Sequence, residues 1–407
     1  MRLFTLAALS LGLAATPVLA KEDPASEPTI APIALGFDDG GLSGPGADII
    51  RAEMEKAQFV MVGEDHGYAG APQFMGALAA EGAGLGFDNY AIEVGPYSTE
   101  WLRDVLADGG PDALAKALEG RPLALPFLGN REEAETAMRF LAEGKLWGAD
   151  QEFIGSPLVH LELLGEGANP ELLRELVRRE REAFATGNQQ AVLMFSLTDD
   201  EWSALEAAFA GDRSALARLS QLRRSADVYK HWTTGRGLDN NLDRIEIIRE
   251  YFLDAYRAAE KREGAPPRVL MKFGATHASR ATTPMNTFDL GPLIEGMAAA
   301  NGMEALHIAY IPLDGKQLAV MPSGEGAFTI KDTDGAKLRA LLEKSGVDIA
   351  PIVAGEGHFL IPMDPVKRAL RNKGLAELDP MSRFVVLGFD YILTTAAGVA
   401  ATPLAEC

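Results

Sequence analysis

The stretch FVMVGEDHGY occupies residues 59–68 and joins a run of apolar residues directly to three ionisable ones. Phe59–Val62 has the composition of a buried β-strand, because a short uninterrupted apolar run is typical of strands that are covered on both faces. Glu64, Asp65 and His66 follow almost at once. Ligands of open parallel sheets bind beyond the carboxyl ends of the strands, so this position predicts a functional site.

Segments with the pattern of strands alternate with amphipathic segments along most of the chain. ADIIRAEMEKA (47–57) and APQFMGALAAEG (71–82) have the spacing of helices, and NYAIEVG (89–95) is typical of a strand. This alternation predicts an α/β fold with a mainly parallel central sheet flanked by helices. Further strands are predicted at 58–63, 145–150, 268–274, 305–313 and 384–395.

Residues 168–225 interrupt the alternation, because they contain amphipathic helices with no strand between them. We predict a helical insertion that covers one edge or mouth of the sheet; a separate helical subdomain without contact to any site is the alternative. Residues 21–45 are rich in Pro, Gly and Asp and are predicted to be an irregular N-terminal segment. The α/β domain with its insertion is therefore expected to span residues 46–403.

The first residues have the pattern of a secretory signal peptide. Arg2 precedes the apolar core Leu3–Ala15, and Val18–Ala20 offers a cleavage position before the polar KEDPASEP (21–28). A membrane anchor, the alternative, needs about 20 apolar residues and a basic far flank, whereas the flank here is acidic. Residues 1–20 are therefore predicted to be removed, and the mature chain is expected to be periplasmic or secreted.

The composition limits the possible partners. The formal net charge of −20 disfavours nucleic acid and anionic membrane surfaces. No other stretch of the sequence is long enough to span a bilayer. A small molecule is the expected ligand.

The single cysteine is Cys407, so an internal disulfide is excluded and the fold depends on its apolar core.

Carboxylates and a second histidine follow other predicted strands as well. Because the carboxyl ends of parallel strands meet at one edge of a sheet, these side chains are expected to share a polar site with those of the first stretch. They are Glu93, Asp150, Glu152 and His277.

His66 is the predicted general base, because an imidazole titrates near neutrality and can take a proton from water. Glu64 and Glu93 would orient its ring or the water. His277 would serve as a second acid or base, or would stabilise an oxyanion. Arg249 would bind a substrate carboxylate or pair with Glu93, a surface salt bridge being the alternative. The predicted substrate-binding residues are Asp65, Asp150, Glu152 and His231.

The remaining histidines are predicted to be structural or exposed. His307 lies within an apolar strand and is expected in the core, whereas His160 and His358 are expected at the surface or in loops. His231 is the exception, because it lies near Tyr229 at the end of the insertion, where both side chains could line a pocket.

Five short motifs occur along the chain: Gly63–Gly67, Ile92–Glu93, Arg249–Ala255, Gly274–His277 and Phe389–Ile392. As a set, they resemble the erythromycin esterase-like group. That group belongs to a wider superfamily with the haem-binding uptake proteins of the ChaN type and the Tiki/TraB proteins. The first motif differs from the usual esterase pattern, because its loop is one residue shorter.

The resemblance implies a hydrolase of an ester or amide in a small molecule, which would use a water activated by histidine and glutamate. A haem- or metal-binding uptake protein without turnover is the first alternative, and a metal-dependent peptidase is the second. A divalent metal would be Mn²⁺ or Zn²⁺, for which imidazole and carboxylate are ordinary ligands. Its candidate ligands are Glu64, His66, Glu93 and His277; the residues alone leave the cofactor open, including none.

Overall fold

The computed structural model describes residues 29–121, 123–125, 129–165, 167–323, 326–371 and 373–404. The predicted signal peptide, residues 1–20, lies outside this part of the chain. Within it, no helix combines the length and the apolar character that crossing a bilayer requires.

The described chain contains the strands β1 (Ile33–Asp38), β2 (Gly41–Ser43), β3 (Ala57–Glu64), β4 (Asn89–Ile92), β5 (Leu146–Gly148), β6 (Val269–Gly274), β7 (Glu304–Tyr310), β8 (Asp314–Ser323), β9 (Gly326–Asp334), β10 (His358–Pro362) and β11 (Tyr391–Thr395). Nine of these strands form one sheet in the order β2-β1-β10-β11-β7-β3-β6-β4-β5. The part from β11 to β5 is parallel throughout. Strands β8 and β9 form a separate antiparallel hairpin. The predicted α/β fold with a mainly parallel sheet is confirmed.

Helices connect the strands and cover both faces of the sheet. In chain order they are α1 (Pro45–Lys56), α2 (Gly70–Gly82), α3 (Pro96–Leu118), α4 (Arg131–Ala137), α5 (Pro157–Leu164), α6 (Pro170–Ala185), α7 (Leu193–Ser196), α8 (Asp199–Ala208), α9 (Arg213–Thr233), α10 (Gly237–Glu263), α11 (Ala275–Ala278), α12 (Leu290–Ala300), α13 (Ala336–Lys344), α14 (Ala350–Ala354), α15 (Met363–Ala369), α16 (Lys373–Ala376) and α17 (Pro380–Gly388).

Strand β3 lies inside the sheet between β7 and β6, and every one of its residues is buried. Its side chains alternate between the faces, as the period of a strand requires. Val60 and Val62 pack with α1 to α4 on one face, and Phe59 and Met61 pack with α10, α12 and α17 on the other. The predicted buried strand is therefore present. Its last residue, Glu64, is level with the end of β6.

Helices α6 to α9 pack around an apolar cluster of their own, which includes Leu176, Trp202, Leu205 and Leu219. The insertion predicted at 168–225 corresponds to α6, α7, α8 and most of α9. Helix α9 continues to Thr233 and packs along α10, so the bundle is joined to one side of the sheet domain.

Two predictions of local structure are wrong. Residues 33–43 form β1 and β2 within the segment that was expected to be irregular, and β1 pairs with β10. Residues 384–388 end helix α17, although the sequence predicts a strand there. The Asp379 side chain caps this helix, and the buried Val385 and Val386 pack into the core, which outweighs the strand preference of valine.

Candidate active site

A cavity of about 670 Å³ opens at the carboxyl ends of β3, β4 and β6. Ionisable residues from the strand ends and α10 form one part of its lining, and apolar residues of α13 and α17 form another. The polar part contains Glu64, Asp65, His66, Glu93, Arg244 and His277; the apolar part contains Leu338, Leu341, Phe384 and Val385. The predicted edge of the sheet is therefore the edge that carries the cavity.

The described residues of the helical bundle do not line this cavity, so the part of the prediction that placed the insertion over the mouth of the sheet is wrong. Among the described residues, the lining beyond the strand ends and α10 comes from Ile311–Pro312, the end of β9, α13 and α17, and none of it from 168–225. The bundle supports the loop after β5 instead. The Ser225 hydroxyl of α9 accepts a hydrogen bond from the Glu152 backbone N–H at 3.0 Å.

His66 lies between two carboxylates. Its Nδ1 is 2.9 Å from Glu64 Oε1, and its Nε2 is 3.4 Å from Glu93 Oε2. The side chains of Glu64 and Glu93 are 1% and 3% exposed, whereas that of His66 is 23% exposed. Of these three groups, the imidazole is therefore the one that a molecule in the cavity reaches most easily.

Hydrogen bonds from β8 fix the backbone of the loop that carries His66. The Gln317 side-chain amide donates to the His66 carbonyl oxygen at 2.7 Å, and the Leu318 N–H donates to the Gly67 carbonyl oxygen at 3.0 Å. Gly67 has φ +95°, and a Cβ there would lie 2.0 Å from the Leu318 oxygen. Glycine is therefore required at position 67.

Glu93 joins the two histidines of the site. Its Oε2 accepts from the Gly274 N–H at 2.5 Å, and its Oε1 is 3.5 Å from His277 Nε2. A Cβ at Gly274 would lie 3.0 Å from His66 Nε2 and 3.4 Å from Glu93 Oε2. The absence of a side chain at Gly274 therefore leaves room for the imidazole and the carboxylate to meet.

The second nitrogen of His277 faces a buried aspartate, since its Nδ1 is 2.9 Å from Asp289 Oδ2. Arg249 holds the loop before α12, because its Nη2 donates to the carbonyl oxygens of Phe288 and Asp289 at 2.6 and 2.9 Å. The predicted pairing of Arg249 with Glu93 is wrong. Arg249 does not line the cavity and contacts the backbone next to the Asp289 side chain instead.

Arg244 of α10 makes the ion pair that had been assigned to Arg249. Its Nη2 is 2.7 Å from Glu93 Oε1 and 2.6 Å from Asp150 Oδ2, and its Nε donates to Asp150 Oδ1 at 3.0 Å. Asp150 therefore reaches the site through a bidentate contact with Arg244. This role differs from the direct substrate contact that the sequence predicts.

A buried lysine lies beneath Glu64. Lys272 is 2% exposed because it belongs to β6, a central strand that is buried along its whole length. Its Nζ contacts Glu64 Oε1 and lies 2.7 Å from Glu133 Oε1 of α4. Burying a charge costs free energy unless partners compensate it, and the two carboxylates provide that compensation.

These contacts shift the pKa values of the site in opposite directions. Burial opposes charge on His66, but Glu93 and Glu64 outweigh it and raise its pKa to about 10. Burial likewise opposes charge on His277, whose pKa is raised by Asp289 and Glu93. The pKa of Glu93 lies well below its usual range: burial acts against this shift, and the two histidines and Arg244 outweigh it. The carboxylates that face the two histidines therefore favour the imidazolium form of each ring.

Two predicted site residues do not line the cavity. Glu152 lies in a separate buried cluster, and His231 pairs with an aspartate elsewhere. Glu152 Oε2 is 3.0 Å from His160 Nε2 and accepts from the Ser98 hydroxyl at 2.5 Å. His160, which was expected at the surface, is fully buried, and its Nδ1 is 3.0 Å from Arg218 Nη1. His231 Nε2 lies 2.8 Å from Asp243 Oδ2, outside the lining.

Two further histidine predictions are decided by the structure. His358, expected at the surface or in a loop, lies instead in strand β10, where its Nε2 is 3.1 Å from the Tyr310 hydroxyl oxygen. The prediction for the other histidine is confirmed. His307 is fully buried in β7, and its Nδ1 is 2.7 Å from the Ala278 carbonyl oxygen.

Four residues of the site were not predicted, and only one of them leaves a signal in the sequence. Arg244 lies five residues before Arg249 in the same helix, so composition does not distinguish the two. Lys272 leaves a clear signal, because a charged residue inside VLMKFG breaks an apolar strand. Glu133 and Asp289 resemble ordinary helix-start acids.

The donor set does not fit a resident divalent metal ion. In the described part of the chain, no group of three or more His, Cys, Asp or Glu side chains could hold a metal. Cations already occupy the candidate ligands: Lys272 contacts Glu64, and Arg244 contacts Glu93.

No protein-family model and no curated protein matches the sequence. Solved structures with a similar fold include the following three. A histidine-to-asparagine mutant of the erythromycin esterase EreC, in its open conformation, is 13% identical, with 87% of this chain and 94% of that chain covered and a TM-score of 0.54. A Bacillus cereus protein is 13% identical, with 92% and 97% covered and a TM-score of 0.51. A succinoglycan biosynthesis protein is 15% identical, with 91% and 95% covered and a TM-score of 0.51.

At these identities the likeness concerns the fold alone. The chain has an erythromycin esterase-like fold over most of its length. The resemblance predicted from the five motifs is confirmed at that level.

Proposed function

We propose that this chain is a hydrolase that cleaves an ester or amide bond in a small molecule. One observation carries the proposal: an accessible histidine, His66, stands at the cavity with a carboxylate on each ring nitrogen. Carboxylates in these positions orient the ring and stabilise the imidazolium that forms when the ring takes a proton.

In the proposed reaction, the neutral form of His66 accepts a proton from a water molecule in the cavity. The water oxygen attacks the carbonyl carbon of the substrate, and the negative charge develops on the carbonyl oxygen. Glu64 and Glu93 make His66 a stronger base, because they stabilise its protonated form. Direct attack by water requires no nucleophilic serine or cysteine.

His277 is proposed as the acid of the same reaction. Asp289 and Glu93 raise its pKa against the effect of burial, which favours the protonated form of this ring at the edge of the cavity. When the bond to the leaving group breaks, His277 donates this proton to the departing oxygen or nitrogen. The products are a carboxylic acid and an alcohol or amine, and the shared contact with Glu93 couples the two histidines.

The remainder of the cavity fits a substrate with an apolar body. Its volume of about 670 Å³ lies within the usual range for small-molecule sites, roughly 300–1,000 Å³. Leu338, Leu341, Phe384 and Val385 supply apolar contacts opposite the ionisable residues. Asp65 is exposed at the cavity and stays a candidate for substrate contact.

The test is a panel of 4-nitrophenyl esters of increasing acyl length, a set of lactones and a set of anilides, assayed with purified mature protein. Hydrolysis that survives treatment with a chelator is the expected result. Failure to cleave any member of the panel, together with a Soret band after haem addition, would favour the binding-protein alternative. Cleavage of peptides that the chelator abolishes would favour the peptidase.

A further inference from the structure

Two charged residues that the proposed reaction does not use, Lys272 and Glu133, lie behind Glu64. Lys272 of β6, Glu133 of α4 and Glu64 at the end of β3 have side chains that are 3%, 4% and 1% exposed. Lys272 Nζ lies 2.7 Å from Glu133 Oε1 and contacts Glu64 Oε1. The same Glu64 oxygen is 2.9 Å from His66 Nδ1. Glu133, Lys272, Glu64 and His66 therefore form a chain of alternating charge.

The position of Lys272 is unusual for a lysine that serves stability alone. The other residues of β6 are apolar or glycine, and a well-packed apolar side chain in a central strand is often at least as stable as a buried ion pair. Both cations at Glu64 compete for one oxygen of one carboxylate. The strength of the interaction between Glu64 and His66 thus depends on how far Glu133 neutralises the charge of Lys272.

We propose that Glu133 is a positioning residue of this site, which acts through Lys272 to determine how much of the charge of Glu64 is available to His66. With Glu133 ionised, Lys272 is shared between two carboxylates, and Glu64 can hold the imidazolium of His66. With Glu133 neutral, Lys272 is compensated by Glu64 alone. The inference rests on the proposed function for its effect on turnover, but not for its effect on His66.

The surroundings of Glu133 agree with a group whose charge changes near neutrality. Burial, first of all, and then the charge of Glu64 raise the pKa of Glu133 to about 7, against the opposing effects of Lys272 and His66. Two tyrosines are further titratable groups close to this cluster. The pKa of Tyr90 in β4 is raised by burial and by Glu133, and the pKa of Tyr310 in β7 is raised by burial and, to a smaller extent, by Tyr68 and Glu64. One oxygen of Glu133, one of Glu64 and the Tyr90 hydroxyl are buried without a hydrogen-bond partner. Such atoms are the usual partners of buried water, and bound water would allow the hydrogen bonds of the cluster to rearrange.

The test compares Glu133→Gln with Glu135→Gln, an exposed residue of the same helix. The readout is the pKa of His66, from the side-chain ¹⁵N resonances of the full mature chain, assigned with His66→Asn. Loss of the negative charge of Glu133 should lower this pKa by about half a unit or more, and Glu135→Gln should leave it unchanged. An unchanged His66 pKa in folded Glu133→Gln overturns the proposal.

A double variant, Glu133→Gln with Lys272→Met, covers the case in which the single variant fails to fold. It removes both charges, so Glu64 faces His66 alone, and the His66 pKa should equal or exceed the wild-type value. A lower value in the double variant overturns the proposal. If the panel esters are cleaved, the pH profile should move with the His66 pKa. A shifted pKa without any cleavage supports the role of Glu133 and counts against the hydrolase.

Discussion

His66 and His277 approach opposite oxygens of one carboxylate, that of Glu93. Nε2 of His66 is 3.4 Å from Oε2, and Nε2 of His277 is 3.5 Å from Oε1. His66 lies in the loop after β3, and His277 lies in α11, directly after β6; the two strands are neighbours in the sheet. The two imidazoles are therefore close enough to serve one reacting bond from two sides.

The pH dependence of hydrolysis follows from the pKa of His66. Because only the neutral imidazole can act as a base, kcat/KM should rise about tenfold per pH unit below the pKa and level off near it. That pKa is raised from 6.5 to about 10, so the rise should continue into the alkaline range. Initial rates on one ester between pH 6 and 10.5 provide the measurement. A plateau already reached at pH 7.5 would contradict the assigned charge state.

Gly274→Ala should impair catalysis more than stability. The added methyl group would lie 3.0 Å from His66 Nε2 and would push the imidazole away from Glu93. Small displacements of catalytic groups cost up to about 10²-fold in rate. Gly296→Ala is the control, because its Cβ meets no atom within 4 Å in α12. The control should keep its activity and gain about 0.5–1 kcal/mol of stability, as Gly-to-Ala changes inside helices do.

Glu180→Gln should stabilise the protein at alkaline pH. Glu180 is buried in the helical bundle, and one of its carboxyl oxygens lacks a partner. Burial raises its pKa from 4.5 to about 8, so the folded state keeps a proton that the unfolded state has released. Stability therefore falls as pH rises from 4.5 to 8. At pH 8.5, the free energy of unfolding of Glu180→Gln should exceed that of the wild type by on the order of 1–2 kcal/mol. Its melting temperature should then be higher by a few degrees.

The advantage of Glu180→Gln should disappear near pH 4.5, where the carboxyl group is protonated in both states. Glu175→Gln in the same helix is the control, since its side chain is 51% exposed. An equal effect of both substitutions at pH 8.5 would show that burial of Glu180 is not the cause.

Export provides a test that does not depend on the site. The signal pattern predicts a mature N-terminus at Lys21. Intact mass of the protein recovered from the periplasm or medium should correspond to residues 21–407. Recovery of the whole chain, residues 1–407, from a membrane fraction would contradict the predicted cleavage.

The fold and the strand-end residues were accessible from the sequence because their signals are local. Phe59–Val62 is an apolar run, and Glu64, His66 and Glu93 follow strands directly, so the parallel sheet alone brings them together. Glycine at 274 completes the same pattern, because a strand end without a side chain leaves space for neighbours.

The partners of these residues depend on tertiary packing, which no local pattern reports. Which arginine of α10 meets Glu93 is decided by the face of the helix that packs on the sheet, and that face carries Arg244 rather than Arg249. The burial of His160 depends in the same way on helices far apart in sequence, because Arg218 of α9 contacts its second nitrogen. The wall of the cavity comes from α13 and α17, whose position relative to β3 is set only in the assembled sheet.

The most direct test of the account is the kcat of His66→Ala compared with that of His307→Ala on the same panel ester. Circular dichroism and melting curves establish that both variants are folded. His66→Ala should lower kcat by roughly 10²- to 10⁴-fold with little change in melting temperature, because a general base is lost at a partly exposed position. His307→Ala should lower the melting temperature, since a fully buried side chain leaves a cavity, and should keep most of its turnover. Near-normal turnover by folded His66→Ala would contradict the assignment of His66 as the base.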